Sequence, residues 1–145
     1  MVIDAESTSP PDARDALPTT AVLVIDDDRA VLDGLSELLE NEGYSPVTVQ
    51  DGRTALDRLR SGLRPCAILL DLMMPGMDGW DFRHEQLSDS DLKDIPVVVI
   101  TAAGFSKSSV RTQFGDVEFV PKPLPPVALL NAVRRCRRPS MAEPG

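Results

Sequence analysis

The chain has 145 residues, of which 42% are hydrophobic and 26% charged, and its formal net charge at pH 7 is −8. This composition is typical of a soluble globular domain, and it excludes a membrane-spanning chain because no apolar run approaches the ~20 residues that cross a bilayer. The acidic balance argues against a nucleic-acid-binding domain, since such domains need a basic face. With no signal peptide expected at its start, we predict a cytoplasmic protein.

One folded domain is expected over residues 20–138. Residues 1–19 and 139–145 lack apolar periodicity and are predicted to be disordered tails. Cys66 and Cys136 are far apart and match neither a disulfide framework nor a metal motif, so we expect two reduced thiols.

The first predicted strand is the apolar run 21–25, which stops at Asp26-Asp27-Asp28. Asp28 is placed to cap the helix that follows, and Gly43 suits its left-handed end. The apolar positions that share the spacing of one helical face are Val31, Leu35, Leu38 and Leu39. The acidic run therefore lies between a buried strand and a helix.

A second strand is predicted over 44–49 and a short amphipathic helix over 53–60, with Ala55, Leu56 and Leu59 facing inward. The run 67–70 then predicts a strand that is buried on both faces. It ends at Asp71, and Pro75-Gly76 begins a turn shortly afterwards. Asp71 is thus placed at the carboxyl end of a central strand.

Two further strands are predicted over 97–100 and 117–120, and they end at Thr101 and near Lys122. Helices are predicted after Gly79, weakly around 110–114, and from Pro126. The apolar residues expected on the first and last of these helices are Trp80, Phe82, Leu87, Leu129, Leu130 and Val133. Alternating strands and helices predict a doubly wound α/β domain with a parallel sheet.

Every chemically suggestive side chain follows the carboxyl end of a strand, where open α/β sheets bind ligands. Asp26, Asp27 and Asp71 would repel one another at one sheet edge unless a cation lay beside them, and such oxygen ligands suit Mg²⁺ or Mn²⁺. An acidic run that only caps a helix is the alternative, although Asp28 alone would serve that purpose.

Four motifs resemble the receiver domain of two-component response regulators over about residues 20–138. They are Val-Leu-Val-Ile-Asp-Asp-Asp, Leu-Leu-Asp-Leu-Met-Met-Pro-Gly-Met-Asp-Gly, Ile-Thr-Ala and Val-Pro-Lys-Pro, and they occur in the family's order. The resemblance implies a five-stranded, flavodoxin-like (βα)5 fold with strand order 2-1-3-4-5.

The resemblance also implies the chemistry of the site. Asp71 would accept a phosphoryl group from a partner histidine kinase or phosphotransfer protein. Mg²⁺ or Mn²⁺ would be held by Asp26, Asp27, Asp71 and the backbone carbonyl of Met73. One of Asp26 and Asp27 often acts through a water, and the resemblance does not say which.

Three more residues receive roles from the resemblance. Lys122 would place a positive charge opposite Asp71, with a cis bond before Pro123 as in relatives. Thr101 would bind a phosphate oxygen, and Phe119 would swing inward as the switch aromatic. Many relatives have Tyr there, so any hydrogen bond of that hydroxyl is absent here.

The sequence departs from the family in three ways. Residues 104–116 are short and polar where relatives have a firmer helix, which puts the usual homodimer in doubt. Met73 and Ala103 offer no polar group to orient attacking water, so the acyl phosphate is not expected to be short-lived. Because the chain ends soon after the last helix, we expect a stand-alone receiver without an output domain.

We therefore expect a phospho-accepting module that signals by binding an unknown downstream protein, with no catalytic turnover and neither nucleic acid nor membrane as partner. An Asp-nucleophile phosphohydrolase is one alternative, although such enzymes usually carry an acid where Met73 stands. A binding module that works without phosphorylation is the other. His84 and the arginine cluster 134–138 are interpreted as solvent-facing and as complementing the helix dipole.

Overall fold

Five strands and four helices follow one another in the described part of this computed structural model. The described residues are 20–72, 79–101, 110, 112, 115, 117–122 and 125–137, with Thr101 and Arg137 described by their backbone. The strands are β1 Ala21–Ile25, β2 Ser45–Val49, β3 Ala67–Asp71, β4 Val97–Thr101 and β5 Glu118–Pro121. The helices are α1 Arg29–Asn41, α2 Gly52–Arg60, α3 Gly79–Leu87 and α4 Pro126–Arg137.

All five strands are parallel and lie in the order β2-β1-β3-β4-β5. The predicted doubly wound sheet with order 2-1-3-4-5 is therefore confirmed. At the end of β1, Ile25 pairs with Val49 on one side and with Leu70 on the other. The residues that follow β1 and end β3 consequently reach the same edge, at the point where the strand order reverses.

The sheet separates two hydrophobic cores, because successive side chains of a strand point to opposite faces. Along β1, Val22 and Val24 face α1 and α4, whereas Leu23 and Ile25 face α2 and α3. Both faces of the central strands are thus covered by helices, as the short, fully apolar runs predicted.

The local predictions for α1 were correct at its ends and partly wrong along its face. The Asp28 carboxylate accepts a hydrogen bond from the backbone N–H of Ala30, and Gly43 has φ 91°. The buried residues are Leu32, Leu35 and Leu39, while Val31 and Leu38 are only partly buried. The buried face of α1 therefore includes Leu32, which the predicted spacing left out, and has Val31 and Leu38 at its margins.

The prediction for α3 also needs correction. Leu87 is 46% exposed, whereas Gln86 is completely buried. The side-chain amide of Gln86 donates hydrogen bonds to the backbone carbonyls of Leu92 (2.9 Å) and Ile95 (3.0 Å). A buried polar group needs such partners, and here Gln86 holds the connector that leads into β4.

Several predictions lie outside the described residues. They are the tails 1–19 and 139–145, most of the weak helix around 110–114, and the surroundings of Met73, Ala103 and Pro123. None of the helices in the described ranges has the length and hydrophobicity that a transmembrane span requires.

Candidate functional site

Three carboxylates meet at the carboxyl edge of the sheet, and we call them the acidic cluster: Asp26, Asp27 and Asp71. One ligand oxygen from each lies within 4.8 Å of the others. Asp26 and Asp27 follow β1, and Asp71 ends β3, so the parallel pairing of these strands brings them together. Asp26 is completely buried and Asp71 is 4% exposed, while Asp27 is exposed to solvent.

Backbone hydrogen bonds fix the position of the acidic cluster. The N–H of Asp26 donates to the carbonyl of Val49 (3.2 Å), and one carboxylate oxygen of Asp26 accepts from the N–H of Asp28 (2.9 Å). The Asp28 side chain is exposed and caps α1. Helix capping by Asp28 therefore does not explain why Asp26 and Asp27 are also acidic.

Lys122 brings a positive charge to the acidic cluster from the end of β5. Its ammonium nitrogen Nζ lies 2.8 Å from Asp26 Oδ2 and 3.6 Å from Asp71 Oδ2. Burial opposes the charged form, but the hydrogen bond that Lys122 donates to Asp26 and the charges of Asp26 and Asp71 outweigh it and raise the pKa of Lys122. Lys122 therefore stays protonated, and it contacts Asp26 more closely than Asp71.

The composition of the site fits a divalent cation. Three carboxylates and one ammonium leave a formal charge of about −2, which a buried site tolerates poorly without a counterion. The donors in the described part of the site are carboxylate oxygens, which is the ligand type of Mg²⁺ and Mn²⁺ rather than of softer metals. The residues that would hold such an ion are those of the acidic cluster.

The start of α3 packs directly on the backbone that carries Asp71. A Cβ atom added to Gly79 would lie 2.7 Å from the carbonyl oxygen of Asp71 and 2.7 Å from Cα of Leu72. The Gly79 N–H also donates to the carbonyl of Leu72 (3.1 Å). Sequence reasoning treated Gly79 only as a turn residue, because this close approach involves residues that are not neighbours in the sequence.

The remaining predicted residues are placed around the same edge. Thr101 ends β4 and pairs with Pro121, one position beyond Ile100, which pairs with Asp71. Phe119 pairs with Val99 of β4 and is partly buried against the core on the α2 and α3 side. The backbone carbonyl of Met73 lies outside the described residues. His84 is on α3 and is not part of the acidic cluster.

Comparison with known proteins identifies a family for this chain. The family described as "Response regulator receiver domain" matches residues 22–134. Response regulator MprA of Mycolicibacterium vanbaalenii is 38% identical over 125 residues, which is 86% of this chain and 53% of the relative. The chain therefore spans about half the length of the curated relatives it matches.

Solved structures of the same kind are also similar. The receiver domain of a signal transduction histidine kinase from Syntrophus aciditrophicus is 30% identical with a TM-score of 0.73, covering 88% of this chain and 95% of that one. The chemotaxis protein CheY4 of Vibrio cholerae is 28% identical with a TM-score of 0.73, covering 81% and 98%.

Proposed function

The chain belongs to the family of response regulator receiver domains, and from this premise we propose that Asp71 accepts a phosphoryl group from a phosphohistidine. The donor would be a partner histidine kinase or phosphotransfer protein of a two-component system. The observation that carries the proposal is the position of Asp71 at the end of β3, nearly buried, within the acidic cluster and 3.6 Å from Lys122 Nζ.

In the proposed reaction, a carboxylate oxygen of Asp71 forms a bond to phosphorus while the bond from phosphorus to the histidine nitrogen breaks. The nitrogen keeps the electron pair and is then protonated, and Asp71 becomes an acyl phosphate. The ammonium of Lys122 is a fixed point charge that favours the added negative charge of the phosphoryl group. Asp26 holds Lys122 in place through their 2.8 Å contact.

A divalent cation is part of the proposal. Asp26, Asp27 and Asp71, with the Met73 carbonyl, would hold Mg²⁺ or Mn²⁺, which would offset charge on the phosphoryl oxygens.

The signalling role follows from the same arrangement. Thr101 lies on β4, which is next to the acceptor strand β3, and Phe119 lies on β5, which pairs with β4. Their proposed movement would transmit phosphorylation of Asp71 to a protein partner. We propose that the module acts in the cytoplasm through protein–protein contacts, as a stoichiometric acceptor rather than a turnover enzyme, and that its acyl phosphate persists because Met73 and Ala103 do not orient water. The expectation of a stand-alone receiver without an output domain stays a prediction.

The test is the intact mass of the protein after incubation with acetyl phosphate and Mg²⁺. We expect one added phosphoryl group, lost when EDTA is present and lost in Asp71→Asn. Asp28→Asn is the matched control, because Asn is an equally good helix cap and Asp28 lies outside the acidic cluster. That variant should be phosphorylated like the natural chain.

An adduct that persists in Asp71→Asn would place the acceptor elsewhere. No adduct under any condition would contradict phosphorylation and favour a phosphorylation-independent binding module. Continuous release of phosphate over many turnovers would instead favour the phosphohydrolase.

A further inference from the structure

A second polar site lies at the edge of the sheet, where the end of β2 meets α1 and α2. We call it the β2-edge pocket: a cavity of about 380 Å³ whose walls include Arg29 and Asp33 of α1, Gln50, and Thr54 and Arg58 of α2. Its volume is within the range of roughly 300–1,000 Å³ that small-molecule sites occupy. No residue of the acidic cluster, and not Lys122, lines it in the part of the chain that the structure describes.

The arginines of the β2-edge pocket differ from most others of the described ranges. The arginines that bind side-chain or backbone oxygens are Arg60, Arg64, Arg83, Arg134 and Arg135. Within the described ranges, Arg29, Arg53 and Arg58 have neither an ion pair nor a hydrogen-bonding partner for their guanidinium groups. Two of these three, Arg29 of α1 and Arg58 of α2, line the same pocket.

The other polar groups of the pocket are largely engaged. The Asp51 carboxylate accepts from the N–H of Thr54 (2.7 Å) and from its hydroxyl (3.1 Å). The Gln50 amide donates to the backbone carbonyl of Asp27 (3.4 Å). The lining carries two guanidinium groups, Arg29 and Arg58, and two carboxylates, Asp33 and Asp51, so its formal charge is zero. The Asp51 carboxylate already accepts two hydrogen bonds, whereas the two guanidinium groups have no partner among the described residues.

We propose that the β2-edge pocket binds a small organic anion through carboxylate or phosphate oxygens, held between Arg29 and Arg58. The planar fork of a guanidinium donates two parallel hydrogen bonds to such a group, and two forks from different helices suit a ligand with two oxyanion groups. Asp33 opposes a ligand with excess negative charge and so limits the affinity. The site is separate from the acidic cluster and does not rest on phosphorylation of Asp71.

Two residues that line the pocket, Val49 and Gln50, form hydrogen bonds with the backbone of the acidic cluster. Val49 accepts from the N–H of Asp26, and Gln50 donates to the carbonyl of Asp27. A bound anion should therefore shift the backbone N–H signals of Asp26 and Asp28, because the carbonyl of Asp27 shares its peptide group with the N–H of Asp28. The test thus has a spectroscopic signal that needs no metal.

The experiment is an NMR titration of the complete, metal-free, ¹⁵N-labelled chain with succinate and, separately, with inorganic phosphate. We expect saturable shifts of the Arg29 and Arg58 side-chain Nε–H signals. Arg29→Gln and Arg58→Gln should each weaken binding by about fivefold or more, because each removes one charged fork. Asp33→Asn should tighten binding by about twofold, because it removes a like charge.

Arg53→Gln is the matched control. It makes the same change on the same helix but does not line the pocket, so it should leave the affinity within about 1.5-fold. Saturation by either probe supports the site and identifies the oxyanion it prefers. The proposal is overturned by the absence of saturable shifts up to about 50 mM probe, by equal weakening in Arg53→Gln, or by shifts that centre on Lys122 and persist in both pocket variants.

Discussion

Replacing two helical glycines, Gly79 and Gly34, by alanine should have opposite effects on the stability of the domain. At Gly79, which begins α3, an added Cβ would lie 2.7 Å from two backbone atoms of residues 71 and 72. At Gly34, in the middle of α1, an added Cβ would meet nothing within 4 Å. Replacing each by alanine therefore separates the packing requirement at the acceptor strand from the helix propensity of alanine.

The expected magnitudes follow from these distances. In Gly79→Ala, α3 has to move away from β3 by about 0.7 Å to restore the 3.4 Å separation of ordinary contact. Because the atoms it meets are backbone and cannot rotate aside, we expect a loss of about 1–3 kcal/mol of unfolding free energy. Gly34→Ala should gain up to about 1 kcal/mol, since alanine is the better helix former.

Urea unfolding followed by circular dichroism measures both variants, and Tm should move with the same signs, by ~4 °C per kcal/mol. Displacing α3 also disturbs Asp71, so Gly79→Ala should be phosphorylated on the order of tenfold more slowly while folded. Equal stability of the two variants, or a stabilised Gly79→Ala with normal phosphorylation, would refute the claim that α3 packs tightly on the backbone that carries the acceptor.

Three other predictions concern single residues that are buried or partly buried. Lys122→Ala should tighten Mg²⁺ binding by about tenfold, because it removes a competing cation from the acidic cluster. A titration of tryptophan fluorescence would measure this, the exposed Lys93→Ala should leave the affinity unchanged, and weaker binding in Lys122→Ala would contradict the competition. Gln86→Met should lower the unfolding free energy by about 2 kcal/mol or more, because two carbonyls of the connector lose their donor. Glu85→Met at the half-buried neighbouring position removes only an ion pair with Arg60 near the surface, so it should change the unfolding free energy by less than about 1 kcal/mol. Burial raises the pKa of Cys136 from 9.0 to about 12, so the unfolded thiol loses its proton at a lower pH than the folded one. Stability should therefore fall as pH rises from 9 towards 12, more steeply in the natural chain than in Cys136→Ala, and equal slopes in urea titrations would contradict the assignment.

The elements of this domain could be predicted from local sequence patterns. Short apolar runs bounded by turn residues indicated the strands, and the spacing of Ala55, Leu56 and Leu59 indicated the buried face of α2, which the structure has. The same patterns placed Asp26, Asp27 and Asp71 at strand ends. The strand order itself came with the resemblance to receiver domains, because periodicity does not say which strands are neighbours.

Two side-chain contacts of the described residues were not anticipated by sequence reasoning. Gln86 occupies a position in a polar helical stretch, yet it is buried because connector carbonyls need its amide. Arg135 was expected only to complement a helix dipole, whereas its guanidinium pairs with both carboxylate oxygens of Glu118 (2.8 and 2.9 Å). Both contacts depend on how loops and helices pack.

The sequence by itself therefore determined which residues lie at the edge of the sheet, because apolar runs and the turn residues that bound them set where each strand ends within a few positions. The tertiary structure alone decided that Asp26 is buried and Asp27 exposed, that Lys122 lies nearer Asp26 than Asp71, and that Gly79 has no room for a side chain. These features depend on the register and packing of segments that are up to 96 residues apart in the chain. Distances between such segments are set only when the two cores form.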